Sequence, residues 1–213
     1  MHGETGPSQP PRSLRTDRME ALSDGVFGFA MTLLVVDIVV RPPGTPLHQM
    51  LRAWPSLVAY VLSFLTIGAA WMAHTALTDR FERTGSIFLR LNLLTLLVVV
   101  FLPFPTGLVA DALRSHVGER EAVTLYGLTL LAIRVMGFAL VVYARHENLY
   151  PRHGGDEELR RAQQSPLPVV IGYVVAILVG LAWPTVAVVM YFGITMVLVV
   201  PFRTVARVVF GHG

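Results

Sequence analysis

The segment RMEALSDGVFGFAMTLLVVDIVV, residues 18–40, joins ionisable side chains to a long apolar run. Arg18, Ser23 and Asp24 lie at its start, and Asp37 lies near its end. Charges in the hydrocarbon of a membrane are costly, so intramembrane ionisable residues usually pair with other protein groups or mark an ion path. These residue types therefore point to helix-to-helix hydrogen bonding, cation transport, or both.

The composition of the whole chain indicates a membrane protein. Of the 213 residues, 54% are hydrophobic and only 15% are charged, whereas soluble domains carry about 25% charged residues. The mean hydropathy is +0.59, and the apolar residues are concentrated in long runs. The sequence contains no cysteine, which excludes disulfides, thiolate metal sites and a cysteine nucleophile.

Six apolar runs predict an all-α polytopic membrane protein with six transmembrane helices. Asp17, followed three residues later by Glu20, is typical of a helix N-terminus, so the first helix is predicted to begin there. Pro103 and Pro105 predict a kink near the end of the third span. The predicted spans cover residues 17–40, 54–78, 86–109, 122–144, 167–183 and 186–202.

The chain is predicted to divide into a tail and one membrane domain. Residues 1–16 are polar and Pro-rich and lack the apolar core of a signal peptide, which predicts a disordered cytosolic tail. Residues 17–210 hold the six spans, and residues 145–165 form their one long polar loop. His146 and His153 in this loop lack the tight spacing of metal ligands, so no metal site is predicted.

The arginines predict the orientation of the chain in the membrane. All 17 basic residues are arginines, and 12 of them flank the predicted spans on the side of the two termini and the 145–165 loop. Basic residues are enriched on the cytosolic side of membrane proteins, so both termini are predicted to be cytosolic. This placement also accounts for the pI of about 9.7 without a nucleic acid partner. Arg134 lies inside the fourth span, where pairing with another helix is expected.

One side of the predicted first helix carries an apolar stripe with a single hydroxyl. At about 100° per residue, Asp24 lies about 140° from Phe29, on the opposite side of the helix. Asp37 lies on the shoulder of the stripe, near the outer membrane surface. We therefore expect Asp24 to face neighbouring helices and Asp37 to stand beside the stripe. The stripe consists of Phe29, of Leu33, Val36 and Val40 within about 40° of it, and of Thr32 within about 60°.

Polar residues of other spans are candidate partners for Asp24. Trp71 and His74 lie one turn apart in the second span, and Asn92 lies between leucines in the third. Together with Arg18 they offer hydrogen-bond donors to a carboxylate. We interpret the set as a structural network that joins helices. Its members are Arg18, Ser23, Asp24, Trp71, His74 and Asn92.

The first three spans resemble the transmembrane protein 175 family of potassium channels. RMEALSDG, residues 18–25, resembles the family signature R-x-x-x-F-S-D at the start of the first span, with Leu22 where the signature usually has Phe. The resemblance covers residues 18–110 well and the six-span layout throughout. The other segments that carry it are VFGFAMTLLVVDI (26–38), WMAH (71–74), LNLLTLL (91–97) and FLPFPT (101–106).

The resemblance implies a homotetramer in which the first helix of each subunit lines a central potassium-permeable pore. Prokaryotic members carry one six-span unit per chain, as here, which implies a bacterial plasma membrane protein. Phe29, Leu33 and Val36 fall on the family's constriction layers, although the family usually has Ile or Leu where this chain has Phe29. Thr32 falls on its hydroxyl layer. Asp37 would attract cations at the outer mouth.

The implied ligands and partners are few. No cofactor is expected besides permeant K⁺, and the resemblance to prokaryotic members implies modest selectivity for potassium over sodium. The sequence also lacks a T-V-G-Y-G-like carbonyl filter. The implied partners are other copies of the chain, the lipid bilayer and monovalent cations, with no nucleic acid among them.

Two other classes of function stay open at this point. A secondary transporter of a cation or proton usually shows internal repeats and broken helices around a midplane site, and no repeat is visible here. An intramembrane hydrolase would need Ser23, Asp24 and His74 as a triad. Because Ser23 and Asp24 are adjacent, their side chains diverge by about 100° on a helix, and the sequence holds no G-x-S-x-G motif.

Overall fold

The protein is described here by a computed structural model, which covers residues 14–36, 53–79, 81, 85–147, 149 and 167–199. All regular secondary structure within these ranges is α-helical. Asp37, residues 1–13 and most of the predicted 145–165 loop lie outside the described residues. The helices, numbered in chain order, are α1 (Leu14–Leu33), α2 (Trp54–Thr78), α3 (Ser86–Phe101), α4 (Pro103–Ser115), α5 (Glu119–His146), α6 (Leu167–Gly180) and α7 (Pro184–Val199).

Helices α3 and α4 form one nearly continuous rod rather than two separate spans. Only Leu102 separates them, and its backbone remains close to helical. Pro103 and Pro105 cannot donate backbone hydrogen bonds, so the helix breaks and restarts at the prolines where the sequence predicts a kink. The rod ends at Ser115, six residues beyond the predicted end, because His116 turns into the left-handed region with φ of 58°.

Three stretches are long and apolar enough to cross a bilayer: 23 residues from Ser56 to Thr78, 30 from Ser86 to Ser115 and 28 from Glu119 to His146. Helices α6 and α7 are apolar but have 14 and 16 residues, fewer than the roughly 20 that a straight span needs. Helix α1 has 20 residues and carries charges in its first half. The full count of six spans therefore stays a prediction.

Helix α1 begins three residues earlier than the sequence predicts. It starts at Leu14, so Asp17 lies within the first turn and does not cap the helix. A carboxylate in the first turn still interacts favourably with the positive end of the helix dipole. The predicted boundary between tail and membrane domain, at residue 17, therefore falls inside a helix.

The helices pack so that α1 stands at one side of the subunit. Helix α1 packs on α2 and α3, while α5 packs on α3, α4 and α6, and α7 packs on α6 and α2. The main core lies where these helices meet and includes Phe27, Leu62, Leu96 and Tyr126. A smaller apolar cluster near the start of α1 includes Met19. One side of α1 therefore has no helix of the described ranges packed against it.

Buried hydroxyl groups join the other helices in a network that the sequence analysis missed. The Ser63 hydroxyl on α2 lies 2.8 Å from that of Thr106 on α4 and 2.9 Å from that of Tyr126 on α5. Thr66 and Thr195 join α2 to α7 across 3.1 Å. Interhelical hydrogen bonds of this kind contribute about 0.6 kcal/mol each on average. Small hydroxyl residues three or four positions apart in an apolar span are the signal that would have predicted it.

Gly127 permits the closest approach between α5 and its neighbours. A Cβ atom at this position would stand 2.0 Å from Tyr191 Oη and 2.8 Å from Ile177 Cγ1. We expect Gly127→Ala to lower the free energy of unfolding by about 1–3 kcal/mol, because the buried Tyr191 ring must move. Thermal unfolding of the purified protein in detergent measures the change.

The matched control is Gly137→Ala on the same helix, where a Cβ atom would meet nothing within 4 Å. This control should leave stability unchanged or raise it by up to about 1 kcal/mol, because alanine is the better helix former. Equal melting temperatures for the two variants would contradict the close approach at Gly127.

Candidate functional site

One face of α1 is buried against its own subunit. Met19, Ser23, Phe27, Ala30 and Leu34 are all less than 5% exposed and recur every three or four residues. This spacing places them on one side of a helix. Since α1 packs on α2 and α3, this side is the one that holds the helix in the subunit.

The stripe lies on the opposite, uncovered face of α1. Phe29 is 58% exposed and Val36 is 70% exposed, while Thr32 is exposed and Leu33 is half-buried. The helical geometry of the sequence groups these residues with Val40, which lies outside the described residues. No helix in the described part of the chain covers Phe29, Thr32, Leu33 or Val36. A row of exposed apolar side chains on a helix must meet lipid, another subunit or a pore.

The outer end of the stripe is wound more tightly than an α-helix. Residues Leu34 to Val36 form a turn beyond the end of α1. The Val35 amide approaches Thr32 O at 3.4 Å, and the Val36 amide donates to Leu33 O at 3.0 Å. Bonds of this i to i+3 type tighten the last turn of a helix. The rotation of about 100° per residue that applies within α1 therefore does not extend to Val36.

The Thr32 hydroxyl is oriented by its own helix. Thr32 Oγ1 donates to the carbonyl oxygen of Phe29 at 2.8 Å. Because a carbonyl oxygen can only accept, the hydroxyl proton points back along the helix. The lone pairs of Thr32 Oγ1 therefore remain available on the uncovered face, where they can serve as ligands to a cation.

The predicted polar network separates into two parts, the first of which is buried. Asn92 Nδ2 donates to Ser23 Oγ at 3.0 Å, and Ser23 Oγ donates to Met19 O at 2.9 Å. His74 Nε2 lies 2.7 Å from Asn92 Oδ1, and since an amide oxygen only accepts, His74 Nε2 is the donor. The His74 ring also packs on Phe27, with 5.5 Å between ring centroids. This series of hydrogen bonds joins α1, α2 and α3.

The second part of the network is an exposed pair. Trp71 Nε1 donates to Asp24 Oδ1 at 2.8 Å, and both side chains are exposed in the single subunit. His74 does not bond to Asp24. The structure therefore contains no Ser–His–Asp triad, because Ser23 bonds to Asn92 and Asp24 bonds to Trp71.

Two arginines are placed differently from the prediction. Arg18 is exposed and, among the described residues, does not join Asp24, His74 or Asn92. Arg134 has two buried guanidinium nitrogens, Nε and Nη2, without a hydrogen-bond partner in the part of the chain that is described. The expected pairing of Arg134 with another helix is not seen there.

These features define an all-α, multi-pass membrane protein with one uncovered helix face. The sequence profile described as endosomal/lysosomal potassium channel TMEM175 matches residues 18–103. A potassium channel of Streptomyces collinus is 40% identical over 126 residues, which are 58% of this chain and 61% of that protein. The chain thus spans about three fifths of the length of this relative.

Solved structures match this chain over most of its length. The crystal structure of a lysosomal potassium-selective channel TMEM175 homolog from Chamaesiphon minutus matches with a TM-score of 0.72 and 31% identity, covering 87% of this chain and 97% of that one. A variant of the potassium channel MtTMEM175 shares the fold, with a TM-score of 0.57 and 18% identity over 97% and 99% of the two chains. The chain belongs to the TMEM175 family. The proteins named in these comparisons are described as potassium channels.

Proposed function

We propose that this chain is the subunit of a potassium-permeable cation channel and that the stripe on α1 lines the pore. The uncovered face of α1 carries this proposal. A helix that the described helices hold by one side, with exposed Phe29 and Val36 on the other, can line a shared path, and the stripe maps onto the family's pore layers by resemblance. Relatives of this chain are named as potassium channels, which supports potassium as the permeant ion.

The channel is proposed to be a homotetramer. One lining helix per chain cannot enclose a path, so several copies must meet around an axis, and closed symmetry is the usual solution. Four copies follow from the resemblance of the sequence to prokaryotic members of the family. Native mass spectrometry of the detergent-solubilised protein tests this: monomers that retain channel activity would contradict it.

Apolar side chains are proposed to form the constriction in place of a carbonyl filter. Rings of Phe29, Leu33 and Val36 would resist wetting, and ions cannot cross a dry ring without losing hydration. Thr32 would replace part of the hydration shell through its outward lone pairs. Asp37 at the outer mouth would concentrate cations. This site predicts modest selectivity for potassium over sodium.

The proposed location is the bacterial plasma membrane, with both termini cytosolic. Arg114, near the end of α4, donates to Ser56, near the start of α2. Gly180, at the end of α6, packs on Val123, near the start of α5. Because only a short turn joins α4 to α5, the start of α2 and the α6–α7 turn lie at the same end of the subunit. Trp54 and Trp183 at this end are 60% and 66% exposed. Tryptophan is enriched at membrane interfaces, which supports a bilayer boundary at this level.

The test of the proposed function is reconstitution of the purified chain in planar bilayers. Reversal potentials in gradients of potassium, sodium and protons give the permeability ratios. Unitary currents that scale with voltage support a channel. The competing proposal, a secondary transporter, predicts flux without unitary currents.

Thr32→Val should lower the potassium-to-sodium permeability ratio by roughly two- to fivefold. Valine has nearly the same shape but no oxygen, so a hydrated cation loses a ligand at this level while the width of the pore stays nearly constant. Reversal potentials under mixed-ion conditions measure the change. Thr32→Ser keeps the oxygen and is the control; if both variants alter the ratio equally, the hydroxyl does not act as a ligand.

A further inference from the structure

Arg18 lies on the same side of α1 as the stripe. It precedes Phe29 by 11 residues, which corresponds to about 20° around the helix and about 16 Å along it. Arg18 is exposed, and so are Leu22 and Gly25 between it and Phe29. The uncovered face of α1 therefore continues from the stripe to a guanidinium group at the cytosolic end.

The guanidinium of Arg18 is not neutralised by any residue in the described part of the chain. Among the described residues, no hydrogen bond or ion pair engages Arg18, and the acidic residues of α1 point to other sides. Asp17 lies about 100° from Arg18 around the helix, Glu20 about 160°, and Asp24 about 120°. Asp24 is also bonded to Trp71. The charge that faces the proposed pore axis at this level is positive.

We propose that four Arg18 side chains form a cationic ring around the cytosolic entrance of the pore and make the channel pass inward current more readily than outward current. This inference rests on the proposed function, because the ring exists only if α1 lines a tetrameric pore. A positive ring lowers the local concentration of cations at the entrance. Cations arriving from the cytosol are depleted, while those arriving from outside have already passed the constriction.

The size of the effect follows from electrostatics. For four charges about 10 Å from the axis in water, outward current should be smaller than inward current by roughly fivefold at about 0.02 M salt. At about 0.15 M salt the ratio should fall to roughly twofold, and at about 1 M it should vanish, since the Debye length shrinks to about 3 Å. The dependence on salt distinguishes a charged ring from a purely steric asymmetry.

The experiment uses the full chain in inside-out patches, where the orientation is known. Single-channel currents are compared at equal and opposite voltages in symmetrical KCl at these three concentrations. Arg18→Gln should give equal inward and outward currents at low salt, whereas Arg18→Lys should keep the asymmetry. Arg90→Gln is the matched control, because Arg90 is an exposed arginine one turn into α3 and is not on the pore-lining helix.

Chemical modification avoids any dependence on folding of the neutral variant. The natural chain contains no cysteine, so Arg18→Cys offers a single thiol to reagents applied from the cytosolic side. A cationic methanethiosulfonate should lower outward current, and an anionic one should raise it above the inward current. Symmetrical wild-type currents at low salt, or an unchanged current ratio after complete modification with both reagents, would overturn the proposal. Absence of any wild-type current would instead contradict the proposed channel function itself.

Discussion

Phe29→Ala should raise single-channel conductance by roughly tenfold, which corresponds to lowering the barrier to permeation by about 1.4 kcal/mol. Phe29 is 58% exposed on the uncovered face of α1 and has the largest side chain in the stripe. The ring with the least space for water sets the barrier, since ions must shed hydration to cross it. Alanine at this level should widen and wet the constriction and weaken discrimination among cations. Single-channel current and reversal potentials in mixed potassium and sodium solutions measure both effects.

Two companion variants calibrate this result. Leu33→Ala should act in the same direction with a smaller change, because Leu33 is half-buried and its side chain is shorter. Val197→Ala should change neither quantity, because Val197 is exposed on α7, away from the stripe. If both Phe29→Ala and Leu33→Ala conduct like the wild type while remaining assembled, α1 does not line the pore and the stripe is ordinary packing.

Asn92→Leu should destabilise the subunit by about 2–4 kcal/mol. The substitution removes interhelical bonds to Ser23 and His74, worth about 0.6 kcal/mol each, and leaves the buried His74 donor without its acceptor, at a cost of about 1–3 kcal/mol. Because Asn92, on α3, joins α1 to α2 through its bonds to Ser23 and His74, we expect loss of assembled protein rather than altered selectivity. Size-exclusion chromatography and thermal unfolding in detergent measure the two consequences.

The control for Asn92→Leu is Leu94→Ala on the same helix. Leu94 is 50% exposed, and substitutions on an exposed surface usually change stability by less than about 0.5 kcal/mol. Ser23→Ala should lie between the two, because it removes the interhelical bond from Asn92 Nδ2 and the bond within α1 to Met19 O but leaves the bond between His74 and Asn92 in place. A stable, assembled Asn92→Leu channel with a changed permeability ratio would mean that this network belongs to the ion path.

Features that depend on neighbours along the chain could be predicted from the amino-acid sequence. Long apolar runs predicted helices, and two prolines predicted the break at Leu102, because hydropathy and backbone chemistry act locally. The opposition between Asp24 and the stripe followed from about 100° per residue. The quoted motifs of the first three spans were sufficient to indicate the family. Membrane crossing by the shorter helices α6 and α7 was beyond what length and composition alone establish.

Which polar side chains form hydrogen bonds with one another depends on the packing of the helices. Asp24 and Trp71 lie 47 residues apart in the sequence, and Ser23 and Asn92 lie 69 apart, so their pairing depends on how whole helices are rotated against one another. The sequence offered four donors to Asp24, and the packing supplied Trp71 while directing Arg18 to the uncovered face. Side-chain polarity shows that a buried group needs a partner. Only the rotation and depth of each helix, set by thousands of small packing contacts summed over the core, select which partner it has.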